Sequence, residues 1–188
     1  LYEEDDFDAR SEFTDPEIRR SSLAGVILRM KSLGLVAIED FPFLDPPSSK
    51  HISEGYKTLR EISAIDGDNE LTKTGRQLGR IPVEPRLGKM LLESRHRGCL
   101  DAMLVIVSGL SIMDPRERPA DKAKEADVAH EKWRDEDSDF MSLIHLWADL
   151  QQFKEGRKWR QNQLRKFCRQ RFLNFRRVLE WGNLHHEL

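Results

Sequence analysis

The sequence predicts a mainly α-helical protein in which a small winged-helix module with a short β-hairpin precedes a bundle of helices. Three observations carry this. Apolar residues recur at helical spacing through most of the 188 residues. The first third of the chain runs helix, extended link, helix and hairpin, which is the winged-helix order. Gly and Pro then punctuate a series of helical segments with no further strand signal.

Thr14-Asp15-Pro16-Glu17 reads as a helix start, because Thr14 and Glu17 are spaced for a capping box and Pro is tolerated in a first turn. Leu23, Val26, Ile27, Met30 and Leu33 follow at helical spacing, and Gly34 closes the helix. Phe41-Pro-Phe-Leu-Asp-Pro-Pro47 is extended, since Pro46-Pro47 removes two donors and constrains the residue before it. Ser48 and Ser49 cap a second helix with Ile52, Tyr56, Leu59 and Ile62 on its apolar face. Ala64-Ile65 and Leu71-Thr72 flank an Asp-Gly-Asp-Asn turn and form the hairpin.

Beyond about Arg80 the chain reads as helix after helix. Pro85 opens one that presents Leu87, Met90 and Leu91 and ends at Gly98. Leu100 to Ile112 is apolar all round, the mark of a helix buried on all sides. Asp114 to Pro119 (DPRERP) breaks the chain, and a highly charged helix runs from about Ala120 to Trp133. Asp137-Ser138-Asp139 caps the next, with Phe140, Leu143, Ile144, Trp147 and Leu150 inward. A basic segment from about Asn162 runs to the last residue with no Gly or Pro stop before the chain ends, as if it were cut from a longer one.

Composition narrows the function classes. Hydrophobic content is 38% against 34% charged, and no apolar run approaches the roughly 20 residues that span a bilayer. The acidic start LYEEDDF does not resemble a signal peptide. Cys99 and Cys168 match no metal or redox spacing, so a reducing, cytoplasmic setting is expected. A net charge of −2 conceals an asymmetry: residues 151–188 hold ten Lys or Arg against three Glu, or +7, leaving −9 for the rest. A polyanionic partner would therefore meet the tail.

Catalytic signatures are weak. Glu70 to Leu91 mixes glycines with cations, but Lys73-Thr74-Gly75 reverses the order a phosphate loop needs, and Gly79 is followed by Arg80-Ile81-Pro82. His51, His96, His130, His145, His185 and His186 form no ligand pair four apart around a helical Glu, and adjacent residues point to different helix faces. Asp135, Glu136, Asp137 and Asp139 lack the glycine of a calcium loop and suit a solvated cap. No catalytic, cofactor-binding or metal-ligating residue is assigned. Lys154 to Arg177 is more informative, interleaving cations with Trp159, Phe167, Phe172 and Phe175. The aromatics keep to an apolar face, and Arg165, Arg169 and Arg176 make a stripe able to follow a sugar-phosphate backbone.

These segments together resemble the C-terminal helicase-associated region of DEAH-box ATP-dependent RNA helicases, especially the bacterial HrpA-like group. FTDPEIRRSSLAGVILRMKSLGL, FPFLDPP, LTKTGRQLGRIPVEPRLGKML, LSIMDPRERP, SDFMSLIHLW and QNQLRKFCRQRFLNFRRVLEW match in order, and LYEEDDF is similar to the tail of the second RecA-like domain. The resemblance implies residues 1–13 as that tail, 14–80 as a winged-helix domain and 81–188 as a ratchet-like domain cut before an oligonucleotide-binding barrel. It implies a monomeric wall of a single-strand RNA (or DNA) channel that packs on RecA-like domains of the same polypeptide. ATP and Mg belong to those domains, since the Gly-Lys-Thr loop, Asp-Glu-Ala-His box and arginine finger do not occur here. Asn162, Arg165, Lys166, Arg169, Asn174 and Arg177 match the family's Asn and Arg positions as nucleic-acid contacts, with Asn174 equally suited to a structural role. Arg116 and Arg118 are further candidates that could instead cap the buried helix. Two rivals stand beside this: a free-standing winged-helix regulator, disfavoured by the acidic turn at Asp66 to Glu70 and by Lys50, Lys57 and Arg60 being the second helix's only cations, and a protein-interaction scaffold using the charged helix after Pro119.

Overall fold

A computed structural model describes residues 22–156 and 158–188. The chain divides into two compact units between Arg80 and Ile81.

In the first unit, α1 (Ala24–Ser32) begins after Ser22, whose hydroxyl accepts from the Ala24 amide at 3.3 Å. The apolar run at Leu23 thus starts its own helix, while the capping box at Thr14 lies outside the described residues. Ala24, Ile27, Leu28 and Met30 are buried, and Gly34 takes the left-handed conformation that ends the helix (φ +66). α2 (Ser49–Glu61) is capped by Ser48, which accepts from His51 N at 3.3 Å. It crosses α1 at Gly55, where a side chain would meet the Ile27 methyl at 2.7 Å. The expected hairpin is one antiparallel bridge, Ile65 to Leu71. Its loop is organised by Asp66, whose carboxylate accepts from the amides of Asp68 (3.0 Å) and Glu70 (2.9 Å).

Thr72 caps the short α3 (Lys73–Leu78) by accepting from Gly75 N at 3.0 Å. This settles what the glycines here are for. A side chain on Gly75 would collide with the Ala64 carbonyl, and one on Gly79 with Ser32. Both glycines permit close packing within the unit.

The second unit opens with α4 (Pro85–Arg97), where the Glu84 carboxylate accepts from Arg86 N at 2.8 Å and Gly98 (φ +68) closes the end. α5 (Leu100–Leu110) buries five consecutive residues, Val105 to Gly109, although Asp101 and Leu110 remain exposed. A 3-10 turn at Ala120–Lys122 leads into α6 (Ala123–Glu131). α7 (Asp139–Gln151) is capped by Ser138 and buries Leu143, Leu146, Trp147 and Leu150, but Phe140 is 48% exposed rather than inward. The hydrophobic period placed Phe140 correctly around the helix, yet it sits in the first turn, beyond the edge of the core.

The basic tail is not one segment. It starts with a two-residue hairpin that the sequence did not suggest: β1 (Lys154–Glu155) pairs antiparallel with β2 (Lys158–Trp159), Lys154 opposite Trp159. Two helices follow, α8 (Gln161–Gln170) and α9 (Phe175–Glu187). Between them Phe172 adopts φ +51, and Leu173 N returns to Cys168 O at 2.8 Å. The core gathers Trp133, Leu146, Leu150, Leu164, Cys168, Val178 and Trp181 from α7 to α9 and the end of α6. The buried Trp181 indole donates to Ser108 Oγ at 2.9 Å and Val105 O at 3.2 Å, so it carries no unsatisfied polar group.

Candidate nucleic-acid interface

The geometry sorts the cations by what they already hold. On α8 the buried positions are Leu164 and Cys168, with Phe167 half-buried beside them. Asn162, Arg165, Lys166 and Arg169 then occupy positions i, i+3, i+4 and i+7, an arc of about 100° on the opposite side of the helix. All four are exposed. Arg165 rests over the Phe175 ring at 4.6 Å, a contact that steadies the guanidinium without neutralising it. Asn162, Lys166 and Arg169 have no side-chain partner among the described residues. The arc is therefore a solvated, unneutralised cationic face on a helix anchored from behind.

Arg176 does not extend it. Its spacing from Arg169 suggested one stripe, but the break at Phe172 puts Arg176 on α9. There it borders a cavity of about 500 Å3 with Leu179, Glu180 and Asn183.

The remaining candidates serve an interlock. The loop 114–119 lies against the turn between α8 and α9, with Arg116 bridged to Leu173. Glu117 N donates to Phe172 O and Asn174 N to Pro115 O, both at 2.7 Å. Asn174 caps α9 by accepting from Arg176 N and Arg177 N at 3.1 Å each, and its amide donates to Glu117 at 2.7 Å. Arg177 donates to Asp114 O at 3.0 Å. His130 reaches across from α6 to donate from Nε2 to Arg171 O (3.0 Å) and Phe172 O (3.2 Å). Arg116 forks onto the Asp114 carboxylate. Burial favours the neutral form of Asp114, yet the hydrogen bonds from Arg116 outweigh it and hold the carboxyl below its usual range. Arg118 forks onto Asp127 at 2.7 and 2.9 Å. Sequence spacing could not find His130 and Glu117 as partners of this turn; the one local signal was Asn174, a favourable N-cap residue ahead of an apolar period.

Among the described residues no three His, Cys, Asp or Glu side chains converge on a point. Cys168 is buried, and burial pushes its thiol up to about 11. No helix among the described residues is long and apolar enough to cross a membrane.

Comparison with known proteins agrees with the architecture. Residues 84–143 match the family model of the helicase-associated domain (HA2), ratchet-like. The compact unit containing that match continues to Leu188. An ATP-dependent RNA helicase HrpA homolog from Haemophilus influenzae is 47% identical over 196 aligned residues, covering all of this chain and 15% of that protein. The ATP-dependent RNA helicase HrpA of Escherichia coli is 44% identical over 193 residues, again 100% of the chain and 15% of the relative. A DExH-box ATP-dependent RNA helicase of Arabidopsis thaliana is 36% identical over 83% of the chain and 14% of its own length. The chain thus spans about one seventh of the length of these three relatives.

Proposed function

We propose, from the match to the helicase-associated domain (HA2), ratchet-like, and the likeness to HrpA RNA helicases, that this chain is the accessory module of an ATP-dependent RNA helicase. In that role it forms one wall of a channel for single-stranded RNA, with α8 facing the strand. ATP and Mg are held by RecA-like domains elsewhere in the parent polypeptide, and this region is inactive alone. The observation that carries the proposal is the arc Asn162, Arg165, Lys166 and Arg169. An exposed cationic face without ion pairs suits phosphates and sugars. Behind it, Asn174 and Arg177 tie α9 to the loop 114–119, Arg116 is held by Asp114 within that loop, and Arg118 joins the loop to Asp127 of α6.

Docking on the motor draws support from the first unit. Leu33 (63%), Val36 (57%) and Leu44 (101%) expose apolar surface within a dozen residues, more than an isolated module needs. Gripping by α8 and docking by this run would let motor domains that open and close move RNA past a fixed wall.

The test is binding of the chain to mixed-sequence single-stranded RNA across a salt series. The triple change Arg165→Glu, Lys166→Glu and Arg169→Glu is expected to weaken binding at least about 10-fold and to lower the salt slope by about 2. The same substitutions leaving affinity and slope unchanged would remove α8 from the RNA path.

A further inference from the structure

A second surface of the ratchet-like unit has the opposite chemistry. Leu110, Ile112, Phe140 and Leu143 line a cavity of about 550 Å3 between the end of α5 and the start of α7. Leu110 is 43% exposed and Phe140 48%, although the rest of each helix's inner face is buried. Met141, beside Phe140, is 40% exposed, and Met113, next to Ile112, is 66% exposed. Uncovered apolar surface of this size, rich in aromatic and Met side chains, is characteristic of a contact site.

The rim carries three carboxylates and one cation: Asp114, Asp137 and Asp139 with Arg116. Arg116 is taken by Asp114. Asp137 has no side-chain partner among the described residues, and Asp139 feels the charge of Arg116 without forming a hydrogen bond or ion pair with it. Their place beside the Ser138 cap is favourable for the α7 macrodipole, which accounts for the charges. It does not account for the open apolar floor beneath them. A phosphate backbone would be repelled here, and a neutral apolar surface would leave both carboxylates desolvated and unpaired.

We infer that this groove docks a cationic amphipathic segment of a protein partner, with its aliphatic or aromatic side chains on Leu110 and Phe140 and its Lys or Arg heads on Asp137 and Asp139. Charge complementarity selects this occupant: Lys and Arg combine an apolar stem with a cationic tip, which matches an apolar floor under an acidic rim. The inference does not draw on the RNA-binding role of α8, so each can fail alone.

A fluorescein-labelled synthetic helical peptide with Leu on one face and Arg flanking it serves as the probe, titrated with the whole chain at low salt. Binding is expected, and both Phe140→Ser and the pair Asp137→Asn with Asp139→Asn should weaken it at least about 5-fold. Phe140 is half exposed, so the variant should keep its fold, checked by far-UV circular dichroism. RNA affinity is expected to stay unchanged in both variants. No peptide binding at about 1 mM chain, or equal binding by the variants, would overturn the proposal. A loss of RNA affinity in the variants would also overturn it, by assigning the groove to the RNA path.

Discussion

Among single residues, His185 sits where its surroundings make stability depend on pH just below neutrality. It stacks on Trp147 with ring centroids 4.5 Å apart, and Lys154 Nζ lies over the same Trp147 ring, 5.6 Å from its centroid. Burial lowers its pKa below the ordinary 6.5; the Lys154 and His186 charges act in the same direction and Asp101 opposes them. The folded state therefore binds this proton less well than the unfolded chain. Stability tied to His185 is fully present above about pH 6.5 and is lost as pH falls through the lower, folded pKa. Asp114 and Asp149 are also held low and lose their contributions further into acid. A direct comparison isolates the histidine: His185→Phe keeps a ring on Trp147 but cannot titrate. Between pH 7 and 5 the urea midpoint of the wild type should fall more steeply than that of the variant. Parallel midpoints across that range would show that His185 bears no linked proton.

At the scale of elements, the join between α8 and α9 decides how the cationic face is held. Asn174 supplies two backbone caps and one long-range hydrogen bond to Glu117. Asn174→Ala is expected to cost about 1–2 kcal/mol in urea unfolding, the range for a lost N-cap. Asn174→Ser should fall between, since it keeps the cap and loses the amide donor to Glu117 without setting a second carboxylate beside it. A change below about 0.5 kcal/mol for the alanine variant would mean that the interlock is held without it. The same join shows where sequence stops being informative. Caps were readable because they are local: Ser48, Thr72, Ser138 and Pro85 each act within three residues of their own position. The break at Phe172 was hidden because Leu164, Cys168, Val178 and Trp181 all face one core, so their spacing mimics a single helix. The β1–β2 hairpin was hidden for another reason, since two-residue strands carry no period, leaving only Gly156 (φ +56) as a trace. In the candidate interface helical spacing set out Arg165 and Arg169, while Asn162 and Lys166 were expected from the family resemblance. The engagement of Arg116, Arg118 and Arg177 was not legible, because Asp114 and Asp127 become their partners only through the folded loop.

For the whole molecule, the charge asymmetry and the two units give the work a place. All four tryptophans, at positions 133, 147, 159 and 181, belong to the unit that starts at Ile81, as do the cationic arc and its interlock. The first unit, by contrast, offers an exposed apolar run and an acidic turn at Asp66 to Glu70. If RNA is met by α8, residues 81–188 alone should bind it as the whole chain does, with Kd within about 3-fold and the same salt slope. Their tryptophan emission should stay blue-shifted, because Trp133, Trp147 and Trp181 are at most 7% exposed and their packing partners lie on α5 to α9. Emission reports folding separately from affinity, so a misfolded fragment is recognised before its binding is read. A folded fragment with affinity down by 10-fold or more would give the first unit a share of the RNA contact, with each lost phosphate contact also removing about 0.7 of a unit of salt slope. The slope then counts the missing cations, and Lys50, Lys57 and Arg60 on α2 are where those would be sought.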